Sequence, residues 1–162
     1  MIRTTKGKTR WMVLSTAATA ALSLTTFLSR PTLVRAADAA PTADQLKFFE
    51  EKIRPILAES CVGCHGPDKQ KGGLRMDTRA ALIAGGKDED KVIKVVEPGN
   101  VEASMIIKAV EYKDEDLQMP PPKKKVDQKL SDDKIAALKE WVKMGVPYGE
   151  KPVEAVKKDD AK

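Results

Sequence analysis

Two thiols and an imidazole fall within five residues of this chain, in Cys61-Val62-Gly63-Cys64-His65. Cysteines three positions apart can share one turn of backbone. Each sulfur can then add to a vinyl group of one planar ring, while the following histidine offers its imidazole to the metal at the centre. C-x-x-C-H is the attachment pattern of a c-type haem. Rival chemistries lack ligands, because the 162 residues hold two cysteines and one histidine. A structural zinc ion takes four Cys/His ligands, and an iron–sulfur cluster takes four thiolates. A thiol redox pair usually opens a helix in a βαβ setting. Gly66-Pro67 follows here, and proline disfavours helix in the residue before it.

A haem iron held by His65 needs a second axial ligand from elsewhere, and no second histidine exists. A thioether is the usual alternative in electron-carrying c-type haems. Past the N-terminal segment the methionines are Met76, Met105, Met119 and Met144. Met105, beside Ile106 on a helix, reads as core, as does Met144 one turn after Trp141. Met76 has no informative context. Met119 stands in Leu117-Gln118-Met119-Pro120-Pro121-Pro122, where prolines fix φ and forbid helix. A stiff loop suits a weak Fe–S bond, and the 54 residues from His65 let the chain pass to the opposite face. Met119 is therefore the expected distal ligand, with an apolar anchor as the plain alternative.

The elements that must position these groups are helical. Leu46, Phe49, Ile53 and Ile56/Leu57 recur at helical steps, predicting a helix from Thr42 toward Glu59, kinked or divided by Pro55. Asp77 or Thr78 can cap a short helix that runs to Ala84 and stops at Gly85-Gly86. Asn100 can cap a helix over residues 101–111 with Ile106, Ile107 and Val110 inward. Ser131, followed by Asp132 and Asp133, starts a last helix whose stripe is Ile135, Leu138, Trp141 and Val142. No segment shows sustained period-two alternation, and residues 72–76 are at most a short extended piece.

The N-terminal 36 residues have the layout of a secretory signal. Arg3, Lys6, Lys8 and Arg10 precede an apolar run over residues 11–28, and Val34-Arg35-Ala36 fits small-x-Ala cleavage, with Ala39 as a second site. That run is short for a bilayer span and is diluted by Ser and Thr, so cleavage is expected over an uncleaved anchor. Haem attachment outside the cytoplasm agrees with it. The segment also holds six of the 29 Lys and Arg. The remainder carries 23 basic and 24 acidic side chains, a net of −1, which disfavours a nucleic-acid partner. After a 37–41 linker, residues 42–149 read as one domain and 150–162 as a charged disordered tail. With few large aromatics, a domain of this size is marginal on its own side chains, and a buried porphyrin would add apolar surface.

From residue 48 to 148 the chain resembles the planctomycete-type cytochrome c domain, a relative of the class I cytochrome c fold. The resemblance rests on Phe48-Phe49-Glu50-Glu51-Lys52-Ile53-Arg54-Pro55-Ile56-Leu57, Cys61-Val62-Gly63-Cys64-His65-Gly66 and Gly72-Gly73-Leu74-Arg75-Met76-Asp77. Pro98-Gly99-Asn100 with Ser104, Met119-Pro120-Pro121 and Leu138-Lys139-Glu140-Trp141-Val142 complete it. It implies an all-α fold with the N- and C-terminal helices packed across each other around one covalent haem c. It further implies thioethers at Cys61 and Cys64 and axial ligation by His65 and Met119. Mitochondrial-type cytochromes carry a proline whose carbonyl accepts from the ligand imidazole. Asp77 stands at that position here, leaving the carbonyls of residues 66–75 as candidate acceptors.

The expected function is a monohaem one-electron carrier of the periplasm, serving redox proteins of the cell envelope and not inserted stably in a membrane once the signal is cleaved. The alternatives are a five-coordinate haem enzyme or gas sensor, for which the chain has no spare histidine, and an envelope protein with a structural haem. Asp114-Glu115-Asp116 and Lys123-Lys124-Lys125 flank Met119, either as solvated loops or as steering charges for a partner.

Overall fold

The computed structural model describes residues 40–123 and 128–156. The expected signal, residues 37–39 of the linker, Lys124 and Lys125, and residues 157–162 lie outside them. The described part is helix-rich with one two-stranded sheet.

Thr42 and Gln45 form a reciprocal capping box at the start of α1 (Ala43–Phe48), satisfying two amide donors that the first turn leaves bare. The chain then widens into a π-turn, Phe49–Ile53, before α2 (Arg54–Ser60). Proline lacks an N–H and its ring crowds the carbonyl four residues back. The wider turn absorbs that conflict and leaves Pro55 in the first turn of α2, where no donor is needed. The expected division at Pro55 is thus a local change of helical pitch.

Thr78 caps α3 (Arg79–Ala84), its hydroxyl accepting from the Ala81 amide, and Gly85 ends it with φ 80°. A hairpin that the sequence pattern did not announce follows. Strand β1 (Gly86–Asp88) pairs antiparallel with β2 (Lys91–Ile93). Helix α4 is Met105–Glu111, starting later than residue 101. Asn100 Oδ1 accepts from the Ala103 amide at 3.0 Å, which closes a separate turn. The buried Ser104 hydroxyl then ties that turn back, donating to the Asn100 carbonyl at 2.7 Å and accepting from the Glu97 amide at 2.9 Å. Helix α5 is Asp132–Lys143, with Ser131 at its N-cap position but making no side-chain cap bond.

Helix α5 packs against the Phe49–Ile53 turn and against α4. The centre of that contact is aromatic. Phe49 lies 4.3 Å from Tyr148 and 6.4 Å from Trp141, ring centre to ring centre, in tilted arrangements that suit the ring quadrupoles. The polar tips are satisfied, Trp141 Nε1 donating to the Pro147 carbonyl at 2.6 Å and the Tyr148 hydroxyl to the Met76 carbonyl at 2.6 Å. The stripe Ile135, Leu138, Trp141 and Val142 is buried as expected.

The tail assignment needs correcting at its start. Residues 150–156 pack on the domain. Val153 is 1% exposed, and its amide donates to the Asp77 carbonyl at 2.8 Å. The Arg54 guanidinium donates to the carbonyls of Lys151 and Pro152, each at 3.0 Å. One apolar side chain and three backbone bonds outweigh a charged surrounding sequence.

Candidate cofactor site

The Cys61–His65 stretch continues the path of α2 as a tight turn. The Cys61 carbonyl accepts from the amides of both Cys64 and His65, at 3.0 and 2.9 Å. One turn therefore holds both sulfurs and the ring. Gly66 lets the chain fold back, because a Cβ there would stand 2.5 Å from the Val62 carbonyl oxygen. The Gly66 amide donates to Lys69 O at 2.8 Å and the Lys71 amide to Cys64 O at 3.1 Å, closing a compact loop.

That loop supplies the acceptor for the imidazole. His65 Nδ1 lies 3.0 Å from the Lys71 carbonyl oxygen. A carbonyl can only accept, so Nδ1 carries the proton and the Nε2 lone pair is left for a metal. Burial holds the His65 pKa below its ordinary value. The Lys71 carbonyl bond opposes that shift and the Lys71 charge adds to it. Burial also pushes the Cys61 thiol up to about 12, with Cys64 adding to the shift. Such a thiol stays protonated near neutrality, unlike the low-pKa thiol of a redox pair. Cys61 and Cys64 are not joined in a disulfide.

The hairpin buttresses this loop. A Cβ on Gly86 would meet the Gly72 carbonyl oxygen at 2.7 Å, so β1 and the turn Lys71–Gly73 touch backbone to backbone.

Met119 is anchored from the other direction. Its amide donates to the Ala109 carbonyl of α4 at 3.0 Å, and the Tyr112 hydroxyl donates to the Pro120 carbonyl. Its side chain is 39% exposed. Both anchors lie beside α4, so the loop's position follows from that helix.

Cys61, Cys64, His65 and Met119 line one cavity of about 710 Å³, within the range of roughly 300–1,000 Å³ typical of small-molecule and cofactor sites. Its walls are largely aliphatic, from Leu74, Val95, Ile106, Ala109, Val110 and Leu130, and its cations are Lys69, Lys71 and Lys123. Glu59, the one carboxylate among the described lining residues, pairs with Lys134 at 2.9 Å. Among the described residues no three His, Cys, Asp or Glu gather into a metal cage. This donor set fits a porphyrin: two sulfurs at one edge, one imidazole nitrogen, thioether sulfur, apolar walls and cations for carboxylates.

Several lining residues escaped the sequence reading, among them Met105, Met76 and Val156. Met105, expected in the core, is half-buried and lines the cavity. Its place at the first position of α4 was hidden by the expectation of an earlier helix start. Met76 is buried and also lines the cavity, its amide donating to the His65 carbonyl at 2.7 Å. Val156 is the third, and two valines in a short charged run carry no clear signal. Met144, expected in the core, is half-buried and does not line the cavity.

Residues 61–123 match the family described as Planctomycete cytochrome C. No curated protein and no solved structure matches the chain. Among the described residues no helix is long and apolar enough to cross a membrane.

Proposed function

Taking residues 61–123 as a domain of the planctomycete cytochrome c family, we propose that this protein is an extracytoplasmic one-electron carrier. It holds one haem through Cys61 and Cys64, with His65 and Met119 as axial ligands. The observation that carries the reading is the meeting of these four side chains in one apolar cavity. When bound, the haem supplies a reversible Fe(III)/Fe(II) couple.

The chain's residues then divide the work. Cys61 and Cys64 would hold the ring through two thioethers. The Lys71 carbonyl orients the imidazole and raises its basicity. The anchored Met119 loop presents sulfur with little ordering left to do. Aliphatic walls exclude water, which keeps the rearrangement between oxidation states small. With His65 and Met119 both on the iron, no site would be open to substrate, and Glu59 is engaged with Lys134, so acid–base chemistry is poorly served. The partner we propose is a redox protein of the cell envelope.

The test is optical. The isolated protein should carry one covalent haem by mass, a sharp c-type spectrum when reduced, and a weak sulfur-to-iron band at the red end when oxidised. Met119→Ala should abolish that band, and a band that survives would remove Met119 as ligand. Carbon monoxide binding to the reduced native protein at neutral pH would indicate a five-coordinate iron instead.

A further inference from the structure

The matched family segment ends at residue 123, yet the cavity has a wall from far beyond it. After Tyr148 the chain turns back along α2 and is fastened at three places. Arg54 grips the Lys151 and Pro152 carbonyls, and is itself steadied by an ion pair with Glu50 and by standing 5.1 Å over the Phe49 ring centre. Val153 is buried and bonded to the Asp77 carbonyl. Finally the Val156 amide donates to the Ala58 carbonyl at 3.1 Å. Residues three apart on a helix share a face, so Ala58 leads directly to Cys61, and Ala58, Cys61 and Val156 line the same cavity. Val156 is nevertheless 53% exposed. An aliphatic side chain bonded through its backbone, half in water and half over a cavity, is placed as a cover.

We propose that residues 150–156 form a strap that completes the cofactor site, with Val156 a cofactor-contact residue at the Cys61 edge and Arg54 its positioning residue. The inference rests on the haem reading above. Dielectric and charge beside a haem set its potential, so the strap shields one ring edge from water and tunes the couple.

The test places charge of either sign at the strap's end in the full-length haem protein. Val156→Asp and Val156→Lys keep the backbone bond to Ala58 and alter a half-exposed side chain, so the fold is retained. A negative charge near the iron favours the oxidised form and a positive charge the reduced form. The midpoint potential should therefore shift down in Val156→Asp and up in Val156→Lys. In an Arg54→Gln background, whose strap has lost its clamp, both shifts should shrink. Potentials that do not move, or that move in the same direction for both charges, overturn the inference while leaving the haem reading intact. A protein that carries no covalent haem overturns both.

Discussion

At the scale of single residues, Asp77 shows how a departure from a familiar pattern is used. Its carboxylate is 3% exposed and takes a forked pair of bonds from Arg75, at 3.0 and 2.7 Å. The Arg75 hydrogen bonds hold its pKa below the ordinary value, against the opposing effect of burial. An unfolded Asp titrates at about 3.9. A carboxyl with a lower folded value contributes stability that is complete above that pH and is lost as pH falls through the folded pKa. Acid unfolding of the haem protein should therefore steepen below about pH 4. Asp77→Asn should cost about 1–2 kcal/mol at pH 7, at the low end for charged hydrogen bonds because Arg75 is partly exposed. It should also flatten that acid limb in thermal melts taken across pH. The site residues around His65 were legible because C-x-x-C-H requires specific atoms at fixed spacing. The acceptor at Lys71 was not, since every residue of the loop offers a carbonyl and only the path of the backbone selects one.

At the scale of elements, periodicity made the helices readable and their ends less so. The buried stripe of α5 was visible because four apolar residues recur over the 12 residues of the helix. The start of α4 was not, because Asn100 is as good a cap for a single turn as for a helix. The hairpin left no pattern, since strands of three residues that are mostly exposed cannot show alternation. It is nonetheless the support of the Lys71 turn. Gly86→Ala would force a methyl group against the Gly72 carbonyl oxygen, at a cost of about 1–3 kcal/mol, the usual range for overpacking. The variant should melt earlier, and its reduced haem spectrum should broaden as the His65 ring loses its fixed orientation. An earlier melt with an unchanged spectrum would confine the hairpin to a role in stability.

At the scale of the whole molecule, the core and the cavity share a wall, since Met76, Val95, Ile106, Val110 and Leu130 belong to the first and line the second. Phe49, Trp141, Tyr148, Leu138 and Val153 are buried together, and none of them lines the cavity. Three of the five aromatics of residues 42–149, Phe49, Trp141 and Tyr148, form one cluster away from the cavity. A Cys61→Ser/Cys64→Ser double variant, unable to form thioethers, should keep most of its helical far-ultraviolet signal and a cooperative, lower-temperature melt. Loss of both would make the haem part of the core. Inheritance also acts unevenly on this molecule. Because the imidazole is held by the carbonyl of residue 71 and not by its side chain, almost any codon at that position preserves the acceptor. The loss or gain of a single codon between 65 and 71 carries it out of reach, so beyond Gly66, which has no room for a Cβ, this loop tolerates a change of letters better than a change of length.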